Sequence, residues 1–260
     1  MVSIAAIAGM AVTTIVSIGL PVAIYLVLRR RLVLKFIPAL VGAATFVVMA
    51  LILEPLLHQL VLRPAADGSV ALRDNNPVLF ALYAIFAAGI FEETGRFVAF
   101  KLLRNRYQGV RTAVSYGIGH GGIESILLVG LTMITNLALA LAINAGLAAD
   151  LPAIVSQSLT QTDAGIFYLG GAERVLAIVT QLALSVLVWV AATQPGKWWL
   201  FPVAIATHAL FDLPAVLYQL NVLDIVVTEL LLACLAAALA VIGWRVVAAH
   251  LAAEKTASAA

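Results

Sequence analysis

Apolar residues in this chain neither alternate nor keep to one helical stripe; they come in long runs separated by short polar stretches. A bilayer crossing takes roughly 20 apolar residues, and seven runs qualify, at about 4–28, 36–62, 77–100, 112–147, 166–194, 199–219 and 222–248. The pattern predicts an all-α polytopic membrane protein of about seven transmembrane helices, folded as one domain over 1–260. As a single helix the fourth run would be about 54 Å long and exceed a bilayer. It is therefore expected to end early or break, with Asn136, Asn144 and Gly146 as break points. The segments 63–76 and 148–165 read as the longest connections, the second partly helical, and the C-terminal HLAAEKTASAA reads as a frayed tail. The first run has no basic residues before it and no A-x-A cleavage site at its end, which favours a retained helix over a cleaved signal peptide.

Composition sharpens this. Of 260 residues, 63% are hydrophobic and 11% charged, against about 45–50% and about 25% in ordinary globular chains, and the mean hydropathy is +1.09. Nucleic acid is excluded as a main partner, and a lone cysteine, Cys234, excludes a disulfide scaffold. The net charge of +2 says little, but the placement of the charges says more. Eleven of the fifteen basic residues fall at one set of span ends: Arg29, Arg30, Arg31 and Lys35; Lys101, Arg104, Arg106 and Arg111; Lys197; Arg245 and Lys255. Only Arg63 and Arg73 fall at the other, while Arg96 and Arg174 lie within spans. By the excess of basic residues on the cytoplasmic side, the N-terminus is expected outside and the C-terminus inside.

Ionisable side chains inside a span are costly and by default mark function. The third run carries FEETGR with Glu92, Glu93 and Arg96; the fourth carries YGIGHGGIES with Tyr116, His120 and Glu124; the fifth carries Glu173 and Arg174; the sixth carries His208 and Asp212. Measured from the basic anchors, Glu92, His120 and His208 lie at depths of roughly 13, 13 and 16 Å. Two carboxylates and two imidazoles on three helices thus fall in one layer. Arg96 shares a helix face with Glu92 and can neutralise a carboxylate. Glu124 and Asp212 lie one turn outward of their histidines, either orienting them or forming an outer polar layer with Glu173 and Arg174. Glu173 and Arg174 also suit a purely structural role, tying helices together, and Glu54 and His58 are expected at the outer interface.

A carboxylate beside a histidine can deprotonate water and return the proton to a leaving amine, and a second histidine can stabilise an oxyanion. These parts suffice for peptide hydrolysis without a covalent intermediate. A serine nucleophile is disfavoured, because no G-x-S-x-G is present and Ser115 and Ser125 point away from the face of His120.

At these residues the chain resembles the YhfC family of membrane peptidases, itself related to the superfamily of CAAX-protein endopeptidases and bacteriocin-immunity proteins, which are glutamic intramembrane proteases. That superfamily's pattern is EExxxR, FxxxH and HxxxN or HxxxD; the matches are Glu92-Glu93-x-x-Arg96, Tyr116-x-x-x-His120 and His208-x-x-x-Asp212, within about 77–220. The resemblance implies an intramembrane endopeptidase integral to a bacterial cytoplasmic membrane, acting on a membrane-embedded or lipidated peptide. Glu92 with His120 would activate water, His208 and Asp212 would stabilise the oxyanion, and Glu93 with Arg96 would support them. Two departures stand out. The first motif is one residue short, leaving open which glutamate faces the water, and Asp212 brings a carboxylate that Arg174 is expected to neutralise.

Glutamic chemistry without a cofactor is the favoured expectation, with zinc as the alternative. Its ligands would be His120, Glu124, His208 and Asp212, although H-E-x-x-H is absent. A proton-coupled transporter and a non-catalytic binding or immunity protein are the alternatives of another class. No inverted repeat supports a transporter, and the absence of lysine from 222–248 excludes a retinal Schiff base.

Overall fold

The computed structural model describes residues 1–65, 67–148 and 150–259, with the side chains of Lys255 and of 257–259 outside the description. Seven helices are long and apolar enough to cross a membrane: α1 Ile4–Leu32, α2 Phe36–Val61, α3 Pro77–Leu103, α4 Val110–Asn144, α5 Ala164–Thr193, α6 Leu200–Gln219 and α7 Ile225–Ala259. No strand occurs among the described residues. Short helices at Ala71–Asn75 and Ala153–Gln161 sit in the two long connections.

Local chemistry sets several of the ends. Asn76 caps α3, its side chain accepting from the Leu79 N–H, with Pro77 at the first helical position, where its missing N–H costs nothing. Asp163 caps α5 in the same way through the Gly165 N–H. The fourth run does not break at Asn136. It runs to Asn144, whose side chain accepts from the Val2 N–H at 2.7 Å and donates to the Val2 carbonyl at 2.8 Å, and the chain then turns at Gly146 with φ +73°. Its irregularity is a π turn at Ser125–Gly130, directly after Glu124, and α2 carries another at Met49–Leu53, directly before Glu54. The C-terminal segment is helical rather than frayed, because α7 continues to Ala259 and Glu254 pairs with Arg111.

Between membrane helices there is little hydrophobic driving force, so close packing must supply association. The most apolar stretch of α5 is 72% buried, against at most 39% in any other span, which makes α5 the central post. Around His120 the glycines of α4 act as notches. A Cβ at Gly119 would lie 1.9 Å from the Ala39 carbonyl oxygen of α2, and one at Gly121 would lie 2.9 Å from the Gln181 Cβ of α5. The run that looks helix-weakening in sequence is what lets α4 fit between α2 and α5.

Candidate active site

The adjacent glutamates of α3 point into different surroundings. Glu92 Oε2 lies 2.8 Å from His120 Nε2, so the imidazole N–H donates to it. Among the described residues Glu92 Oε1 has no hydrogen-bond partner, and Glu92 lines a cavity of about 120 Å³. Glu93 is fully buried: Arg96 Nη1 donates to both of its oxygens at 2.8 Å, and His208 Nδ1 lies 2.7 Å from Oε1. Arg96 Nη2 is 4.0 Å from Glu92 Oε2. Glu92 thus faces the cavity and Glu93 is sealed against Arg96.

His120 is gripped by aromatic rings, with Phe46 edge-on at 5.3 Å between centroids and Tyr116 stacked at 5.9 Å. Its Nδ1 and the Tyr116 hydroxyl are buried without partners among the described residues. His208 shares the cavity wall with Asp212, whose Oδ2 is 3.5 Å from His208 Nε2. Ser115 and Ser125 donate to the backbone carbonyls of Lys35 and Ser17, away from the centre.

The outer polar layer departs from expectation in one respect. Arg174 pairs with Glu124 at 3.2 Å and Glu173 at 2.5 Å, not with Asp212. Helical depth fixes position along an axis but not around it, and the face of α5 bearing Arg174 turns toward α4. Glu124 does not orient His120 either; its contacts are Arg174 and Gln181. Gln181 is the site residue that sequence reading missed. Its amide oxygen accepts from Arg96 Nη2, and its Nε2 donates to Glu92 Oε2 at 3.0 Å and Glu124 Oε2 at 2.8 Å. The available signal was faint: one amide in the most buried span, with no motif around it.

Glu54, toward the C-terminal end of α2, is buried among protein atoms. It lies 3.3 Å from His58 Nε2, and His58 Nδ1 meets the Tyr83 hydroxyl at 2.8 Å.

The donor set fits a divalent cation. Donor atoms of Glu92, His120 and Glu124 all lie within 4.8 Å of one another. The surroundings hold five carboxylates (Glu92, Glu93, Glu124, Glu173 and Asp212) against two guanidiniums, Arg96 and Arg174. Three of these carboxylates (Glu92, Glu93 and Glu124) are buried, and Glu173 and Asp212 are partly exposed; an acid-rich lining of this kind suits a cation. This grouping differs from the ligand set suggested by the sequence, because His208 is turned to Glu93 and Asp212 stays with His208.

The fold and site define an integral membrane protein with a buried acid–histidine centre inside a bundle of apolar helices. Residues 16–232 match the family described as YhfC intramembrane metalloprotease. The chain is also 33% identical over 252 residues to "Uncharacterized membrane protein YhfC" of Bacillus subtilis (strain 168), covering 93% of this chain and 96% of that protein. The chain belongs to the YhfC intramembrane metalloprotease family. No solved structure matches it. The family's description points to a metal, so the preference for metal-free glutamic chemistry drawn from the motifs is not supported.

Proposed function

We propose that this chain is a metal-dependent intramembrane endopeptidase. The observation that carries the reading is the convergence of Glu92, His120 and Glu124 donor atoms beside a buried polar cavity. These three side chains would hold the cation, with His120 giving up its Nε2 and keeping its proton on Nδ1. When bound, a divalent cation polarises a carbonyl oxygen and makes water a usable nucleophile near neutral pH.

The chain's own groups supply the rest. Asp212, 30% exposed at its side chain and lining the same cavity, accepts the proton of the attacking water. The water oxygen bonds to the scissile carbonyl carbon, the C–N bond breaks, and Asp212 returns the proton to the departing nitrogen. His208, held from behind by Glu93, orients Asp212 and faces the developing oxyanion. The substrate class is a membrane-embedded or lipidated peptide. The N-terminus lies outside and the C-terminus in the cytoplasm, as the eleven-to-two division of basic residues supports. A C-terminal reporter active only outside the cytoplasm would reverse that orientation.

One observation favours a second reading. Glu92 Oε1 is free while Oε2 is tied to His120, the arrangement a glutamate needs to act as base itself without metal. Two measurements on detergent-purified protein separate the readings. Under the metal reading, stoichiometric metal accompanies activity, chelation abolishes cleavage of a membrane-peptide library, and Asp212→Asn loses about 10²- to 10⁴-fold in rate. Under the glutamic reading, chelators do nothing and Asp212→Asn keeps activity, because an amide there no longer repels the oxyanion. Metal-free, fully active wild type would end the metal reading.

A further inference from the structure

Gln181 reaches the centre from α5 and is 5% exposed. Its amide has no freedom to flip. A guanidinium only donates, so the amide oxygen must face Arg96, and both amide hydrogens are left for the two carboxylates, Glu92 Oε2 and Glu124 Oε2. The reversed amide would set N–H against N–H on one side and oxygen against two carboxylates on the other.

We infer that Gln181 is a positioning residue, an amide clamp oriented by Arg96 that fixes one oxygen of Glu92 and one of Glu124 and so sets the spacing of the two carboxylates. Its effect on rate rests on the hydrolytic reading above; the clamp itself does not. Three features set it apart from a packing residue. The clamp joins three helices through one side chain, with Arg96 and Glu92 on α3, Glu124 on α4 and Gln181 on α5. Among the described residues it leaves Glu92 Oε1 as the atom without a partner, so the oxygen that opens on the cavity is selected rather than left to rotation about the carboxyl bond. The notch at Gly121 seats the stem of Gln181 against α4, which brings the amide within reach of Glu124. An apolar side chain of similar length could fill the same notch but would hold neither carboxylate.

The experiment uses the full chain in detergent as wild type, Gln181→Met, Gln181→Glu, Glu124→Gln and the double variant Gln181→Glu with Glu124→Gln. Thermal unfolding is read first, because it needs no substrate. Gln181→Glu has the shape of the native residue but sets a third carboxylate against two others, so it should melt lower than Gln181→Met. Adding Glu124→Gln restores an amide–carboxylate pair and should recover part of that loss. If Gln181→Glu does not fold, the same question is asked of the double variant against Glu124→Gln alone, where the clamp predicts lower melting for the double variant, because a carboxylate at position 181 still faces Glu92. On cleavage of a membrane-peptide library, Gln181→Met should lower kcat about 10- to 100-fold, as for other residues that orient ligands, with KM little changed.

Melting of Gln181→Glu like wild type, no recovery in the double variant, or a rise in KM at unchanged kcat would overturn the clamp. A wild type that cleaves nothing and holds no metal would instead sink the hydrolytic reading, and the melting series would still decide the clamp.

Discussion

The centre has two sides built from neighbouring residues of one helix, and they are finished differently. On one, Glu93 spends both oxygens on Arg96 and one on His208, and no part of it is exposed. On the other, Glu92 keeps an oxygen free and opens on a cavity shared with Glu124, Gln181, His208 and Asp212. A carboxylate whose bonding is complete has nothing left for a substrate, whereas one with a free oxygen does. The pair teaches that two identical residues in one motif can divide into a fully bonded member and one with an open oxygen through their partners alone.

Substitutions test that division. The largest effect is expected for Glu92→Gln, which should lower cleavage of a membrane-peptide library by about 10²- to 10⁴-fold while leaving the melting temperature close to wild type. Equal loss of activity and stability there would erase the contrast. Arg96→Met should do the opposite kind of damage: it strands buried Glu93, a change that typically destabilises by about 3–5 kcal/mol, and thermal unfolding in detergent would show it. The smallest effect should come from His58→Ala in the outer Glu54–His58–Tyr83 group. The group lies outside the cavity that Glu92 lines, and because Glu54 is buried the stability loss should exceed that of an exposed pair, about 0.2–1 kcal/mol, while cleavage is spared. Cleavage rates within about twofold of wild type are expected; a loss of tenfold or more would make the outer group part of the machinery.

Much of this was legible in the chain. Span positions followed from apolar run length, because lipid imposes a length that sequence must meet, and every span differs from its run by only a few residues except at the C-terminus of α7. The single layer of Glu92, Glu93, His120 and His208 followed from rise per residue, which is fixed by helix geometry. Rotation about the helix axis was harder to read. It depends on which faces the glycine notches select and on the π turn after Glu124, and neither leaves a periodic trace in sequence. Hence Arg174 pairs with Glu124 rather than with Asp212, and Gln181 joins the centre without a motif to mark it. The helical C-terminal segment was missed for a related reason: its pairing of Glu254 with Arg111 spans most of the chain and has no local signal.

The Glu93–Arg96 pair also bears on how the protein enters the membrane. The most apolar stretch of α3 has the lowest mean hydropathy of the seven spans, 1.5, and the helix carries three ionisable residues within five positions. Inserted singly near the bilayer centre, three such side chains would oppose partitioning by about 8–10 kcal/mol on the insertion scale. Glu93 and Arg96 meet at i, i+3 on the same helix, so their mutual neutralisation needs no other span to be present. Two of the three charges can therefore travel through the insertion machinery as a matched couple, leaving Glu92 as the single carboxylate that waits for α4 and α5 to arrive with His120 and Gln181.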